Sequence, residues 1–337
     1  MIKIAFSEDT MTLSFDDIKS ITRGAVDIVE CDGLFRFDRF SDEQKAVYKD
    51  GRQRSYARTG ATASVVLDFH TDSETLRFDY EIDRLNMVSP DFLFFDVWEN
   101  DLLTHHVGEY KKEKLIAAAN IKLKPGEKRV RIFFPNLFAM SISAPILDDG
   151  ASFRPSERKR RALILGDSIT QGFDAHFPSL SYANTLIRDF DLDAVNQAIG
   201  GEVFLPDALG TEPLFDADIV TVAFGTNDWS SGGLDYGISE DYFNRVAELY
   251  PRAKKIYISP IWRTAAEELR DGISFYEAIA EFKCRAKNSG FTVISGLKIL
   301  PNMPQMLTDG LHPSDFGFTQ YAKSLSRKLI ENDIFLN

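Results

Sequence analysis

The feature that most constrains this chain is a change in the rhythm of its apolar residues near position 150. Before that point apolar and polar residues alternate at period two. Ala63-Ser64-Val65-Val66-Leu67-Asp68-Phe69, Leu76-Arg77-Phe78-Asp79-Tyr80-Glu81-Ile82 and Lys128-Arg129-Val130-Arg131-Ile132-Phe133-Phe134 all follow it, and Gly and Asp clusters break them at short intervals. Successive side chains of a strand point to opposite faces, so each segment predicts a strand with one buried face. After Ser89-Pro90-Asp91, the near-continuous apolar run Phe92–Trp98 has the length of a buried strand, and Lys124-Pro125-Gly126-Glu127 reads as a turn. Short strands at this spacing predict an all-β sandwich of jelly-roll type over residues 1–150.

After Pro155 strands are followed by amphipathic helices. Arg161–Leu165, Ile219–Phe224, Lys255–Ser259 and Phe291–Ile294 read as buried strands. Tyr182, Leu186, Ile187 and Phe190 share one helical face, as do Phe275, Ile279, Phe282 and Ala286, and Phe318, Tyr321, Ala322, Leu325 and Leu329. This alternation predicts a parallel sheet covered on both sides over residues 151–337, with sites at the carboxyl ends of its strands. The boundary falls near residues 146–160, where Asp148-Asp149-Gly150 and Pro155 precede a basic run.

Charge narrows the partners. The 337 residues carry 39 Lys plus Arg against 51 Asp plus Glu, a formal net charge of -12, which disfavours a nucleic-acid binder because a polyanion needs a basic face. The tight cluster Arg158-Lys159-Arg160-Arg161 lies at the expected junction and reads as a solvated linker. Hydrophobic residues at 44% and charged ones at 27% fit a folded protein with a sizeable core. The start, Met1 to Asp9, meets acidic residues before a signal-type apolar run forms, and no later stretch is long and apolar enough to span a membrane. Cys31 and Cys284 have no CxxC partners and fit reduced thiols. The expectation is a cytoplasmic protein without membrane contact.

Four short blocks at strand ends carry chemistry. Gly166-Asp167-Ser168-Ile169-Thr170-Gln171-Gly172 presents a serine between a buried strand and a helix, where it is either a nucleophile or a plain helix cap. Asn196-Gln197-Ala198-Ile199-Gly200-Gly201-Glu202 offers glycine amides to an oxyanion or simply turns the chain. Val222-Ala223-Phe224-Gly225-Thr226-Asn227-Asp228 adds an Asn that is a further amide donor or a turn residue. Asp309-Gly310-Leu311-His312-Pro313 places a carboxylate three residues before an imidazole, close enough to orient the ring or merely to cap a turn.

In that order, the four blocks resemble the SGNH (GDSL-type) hydrolase family of esterases and lipases, over about residues 160–335. The resemblance implies a three-layer α/β/α flavodoxin-like domain and maps the catalytic serine, acid and base onto Ser168, Asp309 and His312. It maps the oxyanion hole onto Ser168, Gly201 and Asn227; the spacing from Asn196 favours Gly201 over Gly200. Ile169 stands where the name motif has Leu, an apolar exchange that leaves the chemistry intact. It implies acyl transfer through a seryl intermediate without metal or organic cofactor. Asp167 adjoins the serine and is read as a brace for its loop.

A β-sandwich ahead of such a domain is similar to the arrangement in some carbohydrate esterases, which implies short-chain, acetyl-type ester hydrolysis on a saccharide or glycosylated small molecule. The partner is then a small-molecule or oligosaccharide ester. Phe173, Phe177, Phe204, Trp229 and Trp262 fall in or near the site loops, and Trp229, Trp262 and His176 are expected substrate contacts, with Arg263 beside them; core packing is the plainer account of each. In the first half only His105-His106 and Trp98 invite a binding role, against a solvated strand or turn. Lipase or thioesterase action on longer chains, glycan binding with secondary hydrolysis, and acyl transfer to a sugar remain alternatives.

Overall fold

The computed structural model describes residues 10–82, 92–110 and 116–335; Met1–Asp9 and Ser89-Pro90-Asp91 lie outside the described residues. The described residues of Met1–Arg39, Gly60–Glu157 and His176–Ser179 form one compact unit, and those of Phe40–Thr59, Arg158–Ala175 and Leu180–Asn337 form a second. The sequence places one boundary near residue 150, whereas the structure interleaves the units. The reason is packing. Phe40, Tyr48, Val47 and Tyr56 bury against Ile199, Leu205 and Ala208, while His176 and Phe177 stack in an aromatic cluster of the first unit.

Two antiparallel sheets of the first unit hold, among other described strands, β1 (Leu34–Asp38), β2 (Val66–Thr71), β3 (Thr75–Ile82), β4 (Phe92–Glu99), β5 (Leu102–Tyr110), β6 (Ile116–Lys122), β7 (Lys128–Phe133) and β8 (Met140–Ser143). They pair antiparallel in the orders β1-β8-β3-β6 and β2-β7-β4-β5. Alternation in the sequence becomes a buried face: Leu76, Phe78, Tyr80 and Ile82 of β3 point inward. The Phe78 and Tyr80 rings meet Phe95 of β4 at 5.2 and 5.1 Å, and Phe95 meets Phe134 at 5.2 Å, so the two sheets share one aromatic-rich core.

The apolar run of β4 is buried on its second face as well. There the fully buried Asp96 carboxylate accepts from His106 Nδ1 at 2.7 Å and from the Ser179 amide and hydroxyl at 2.8 and 2.6 Å. His106 stacks on Phe94 and Phe177 at 3.9 and 4.0 Å, so this histidine is part of the packing and not of a solvated strand. Helices also interrupt the expected all-β half. Phe15–Ile21 and Asp42–Lys49 each begin with a capping box, Ser14 with Asp17 and Ser41 with Gln44.

In the second unit β9 (Arg161–Gly166), β10 (Asp193–Asn196), β11 (Ile219–Ala223), β12 (Lys254–Ile258) and β13 (Thr292–Ile294) form a parallel sheet in the order β10-β9-β11-β12-β13. This is the flavodoxin-like order, and the strand sequence reverses direction beside β9. Ile256 and Ile258 enter the core under helices Tyr182–Asp189 and Asp315–Glu331. Tyr257, between them, points the other way and meets Phe243 of helix Tyr236–Leu249 at 4.9 Å. Helices thus cover both faces, as expected.

The basic run is occupied locally: Arg158 pairs with Asp193 at 3.3 Å, Lys159 with Asp191 at 2.7 Å, and the Arg161 guanidinium lies 4.2 Å from the Phe215 ring centre. Cys31 and Cys284 are free and exposed. Among the described residues no helix is long and apolar enough to cross a membrane. Leu325, fully buried in the last helix, anchors one helical layer to the sheet. Leu325→Ala is expected to lower unfolding free energy by about 2–5 kcal/mol, read from urea denaturation of the whole chain.

Candidate active site

The chain leaves β9 at Gly166 and turns at once into the single helical turn Ser168–Gln171. Asp167 caps that turn, its carboxylate accepting from the Ile169 amide at 3.0 Å. The bracing role expected of Asp167 is what its geometry performs. Ser168, 5% exposed, stands at the carboxyl end of the strand where the strand order reverses.

The loop after β10 is tied to this turn by side-chain amides. Asn196 Nδ2 donates to the Thr170 carbonyl at 3.0 Å, and the Gly200 amide donates to Gln171 Oε1 at 2.7 Å. Gly200 is therefore already engaged. Gly201 is exposed and has φ +80, a left-handed conformation suited to glycine, and its amide makes no hydrogen bond among the described residues. Asn227, at the start of helix Thr226–Ser230 after β11, donates one amide hydrogen to the Glu202 carbonyl at 2.9 Å and has a second to offer.

His312 arrives from the loop before the last helix. Its Nε2 lies 2.8 Å from Ser168 Oγ, and its Nδ1 lies 2.7 Å from Asp309 Oδ2. The other Asp309 oxygen accepts from the Leu311 and His312 amides at 3.0 and 2.8 Å, which folds the four residues into a tight loop. Gly310 in that loop has φ +84, and a β-carbon there would come within 2.3 Å of Thr264 Oγ1. Partial burial pushes the Asp309 carboxyl up, but hydrogen bonds from His312 and Leu311 and the imidazole charge outweigh it, leaving it below the ordinary carboxylate range.

The sequence-predicted catalytic and oxyanion residues thus converge on one place. Three residues outside those predictions join them. Arg58 and Arg52 come from the helical segment Phe40–Thr59: the Arg58 guanidinium donates to the Gly200 carbonyl, and Arg52 pairs with the buried Glu202 carboxylate. Asp174 brings a carboxylate oxygen near Asp309 and His312, the donor atoms lying within 4.8 Å of one another. Both His312 nitrogens already face Asp309 and Ser168, so the trio is better suited to proton handling than to holding a metal. Nothing local in the sequence marks Arg58, because its contact spans 142 positions.

The expected substrate contacts separate. Trp229 is 1% exposed, its indole N–H donates to the Ile273 carbonyl at 3.0 Å and its ring meets Phe275, so it has no face free for a sugar. Phe204 is likewise enclosed, by Phe224, Tyr242, Phe243 and Phe282. His176 and Phe177 belong to the aromatic cluster of the first unit, with His176 against Phe92, Phe94 and Tyr110. Trp262 is partly exposed and packs on the core of the sheet, while Arg263 donates to Thr226 and covers Trp229. Phe173 is the aromatic that touches the histidine, with ring centres 4.4 Å apart.

Residues 164–319 match the family model described as GDSL-like lipase/acylhydrolase, and the chain carries a domain of that family. That places it among enzymes acting on carboxylic esters. A search of curated proteins found no match. Among solved structures, the chain is similar to a salicylyl-acyltransferase from a tetracycline biosynthetic pathway, with 19% identity and a TM-score of 0.79 over 96% of this chain and 97% of the other. It is similar to a protein described as a GDSL-like lipase from Bacteroides ovatus, with 15% identity and a TM-score of 0.74 over 96% and 98%. A family two carbohydrate esterase from Cellvibrio japonicus follows the same fold, with 16% identity and a TM-score of 0.65 over 98% and 99%. These likenesses extend to the antiparallel unit as well as the parallel sheet.

Two carboxylates near the serine carry unusual acidity. Burial pushes Asp167 up to about 7, against its backbone hydrogen bonds and with the Asp228 charge adding to the rise. Burial likewise pushes Asp228 up to about 6. The unfolded chain ionises such groups near pH ~4. Between there and the folded values the native state holds the extra protons, so their contribution is full below pH ~4 and is lost as pH rises to about 7. Asp167→Asn keeps an acceptor for the Ile169 amide and cannot ionise. Its thermal midpoint is expected to fall less between pH 5 and pH 8 than that of the wild type; equal slopes would contradict the assignment.

Proposed function

We propose that this protein is a serine esterase that removes short acyl groups, acetyl foremost, from a carbohydrate or glycosylated small molecule. The observation that carries the reading is the relay from Asp309 through His312 to Ser168, at 2.7 and 2.8 Å. In this reading Ser168 Oγ attacks the ester carbonyl while His312 Nε2 takes its proton, and Asp309 holds the ring by Nδ1 and supports the imidazolium. The amides of Ser168 and Gly201 and the side chain of Asn227 receive the oxyanion. His312 then passes its proton to the leaving alcohol, and water, activated by the same nitrogen, releases the acid.

The preference for a sugar ester rests on likeness to carbohydrate esterases across both units. We also read the antiparallel unit as a jelly roll, a reading supported by the pairing orders β1-β8-β3-β6 and β2-β7-β4-β5. The free, exposed cysteines fit a reducing compartment, and we place the enzyme in the cytoplasm. Likeness to an acyltransferase over nearly the whole chain favours a second reading, in which an acceptor hydroxyl replaces water.

The test is hydrolysis of a p-nitrophenyl ester series from acetate to laurate, with acetate release from acetylated xylo-oligosaccharides. Ser168→Ala is expected to lose at least roughly 1,000-fold in kcat, and Asn227→Ala roughly 100- to 1,000-fold. Activity rising with chain length and no acetate from any sugar would overturn the carbohydrate assignment. A product ester formed with added sugar or alcohol would favour acyl transfer.

A further inference from the structure

We propose that Arg58 is a positioning residue of the oxyanion hole: it fixes the Gly200–Gly201 peptide so that the Gly201 amide faces the carbonyl under attack. The proposal rests on the esterase reading and adds to it a part drawn from outside the four sequence blocks.

The Arg58 guanidinium donates to the Gly200 carbonyl. No described peptide bond is cis, and in a trans peptide the C=O and the following N–H point in opposite directions. Whatever grips the Gly200 oxygen therefore sets the direction of the Gly201 N–H. The other side of Gly200 is held too, because its own amide donates to Gln171 Oε1 at 2.7 Å from the turn that carries Ser168. The donor left for a ligand is Gly201, which is exposed and makes no hydrogen bond among the described residues.

Arg58 also lies close to the reacting centre. A β-carbon built on Gly200 would meet Arg58 Nη1 at 3.5 Å and Ser168 Cβ at 3.6 Å, so cation and serine border one small space. A charged donor on a carbonyl polarises the whole peptide and strengthens its N–H as a donor, an effect that grows with partial burial. Arg58 is half-buried. On the far side of Gly201, Arg52 of the same helical segment pairs with the Glu202 carboxylate, and the Glu202 carbonyl receives the Asn227 side chain. Two arginines six positions apart thus bracket the expected oxyanion amide.

The role differs from substrate binding in what it changes. A group that acts through the Gly201 amide strengthens binding of the transition state and leaves the ground state almost untouched, so its loss appears in kcat. The experiment compares Arg58→Lys, Arg58→Met and Arg58→Ala with Arg252→Met, an exposed arginine paired with Asp216, on p-nitrophenyl acetate. Thermal midpoints are recorded for each, and Arg58→Ala is repeated with millimolar guanidinium. Arg58→Met is expected to lose roughly 10- to 100-fold in kcat with KM within about twofold, less than removal of a donor itself. Arg58→Lys should recover part of the loss, as should guanidinium added to Arg58→Ala, and Arg252→Met should match the wild type.

A kcat within twofold of wild type in Arg58→Met, a rise in KM alone, or a loss that neither lysine nor guanidinium repairs would overturn the proposal. If Arg58→Met does not fold, the kcat of Arg58→Lys and guanidinium rescue of Arg58→Ala decide it by the same criteria. Ser168→Ala is assayed in parallel. Full activity there would remove the esterase reading itself, whereas a dead Ser168→Ala beside an unaffected Arg58→Met removes the positioning role alone.

Discussion

The site depends on the parallel pairing of β9 between β10 and β11. Because β10 lies on one side of β9 and β11 on the other, the connections leaving their carboxyl ends open a crevice there, as doubly wound sheets generally do. Ser168 follows β9, Gly201 follows β10 and Asn227 follows β11, so one reversal of strand order gathers three groups from distant parts of the chain. His312 is brought to them from before the last helix, which is fixed to the sheet by Phe318, Tyr321, Leu325 and Leu329.

Strand ends bring loops near each other but do not make them rigid. Here buried polar side chains supply that rigidity, since each must find a partner once removed from water. Asn196 and Gln171 cross-link the two loops nearest the serine, and Gln44 and Gln197 exchange amide hydrogen bonds at 3.0 and 2.8 Å beneath them. An oxyanion hole lowers the barrier only if its dipoles are oriented before charge develops. In the proposed esterase the network around Gly200 and Glu202 has that task, and the half-exposed Asp309 is held instead by amides from its own loop.

The strands that the sequence marks fall within about three residues of their alternating or apolar runs, because one buried face imposes its period on the residues that build it, while Leu34–Asp38, Leu102–Tyr110, Ile116–Lys122 and Met140–Ser143 carry no such mark in the reading of the sequence. The Gly200 amide is taken by Gln171, whereas that of Gly201 makes no hydrogen bond among the described residues. Other residues were not legible. Trp229 looks like a binding ring in a loop sequence, yet its indole is enclosed by Phe275 and capped by Arg263. His176 follows the serine block closely in sequence but packs among Phe92, Phe94 and Tyr110, because Asp96 draws Ser179 to β4. Neither fact has a local signature.

The sequence by itself determined the two rhythms, the parallel sheet and the candidate serine, acid and base, since these follow from periodicities and from four short blocks, each only a few residues long. Only the tertiary structure decided where residues 40–59 belong. Their helices look like an interruption of a β-rich half, but Phe40, Tyr48 and Tyr56 find apolar cover on Ile199, Leu205 and Ala208. Burial of those rings carries Arg52 and Arg58 to the glycine loop, a placement set by packing between segments some 140 positions apart, as the span of the Arg58 contact records.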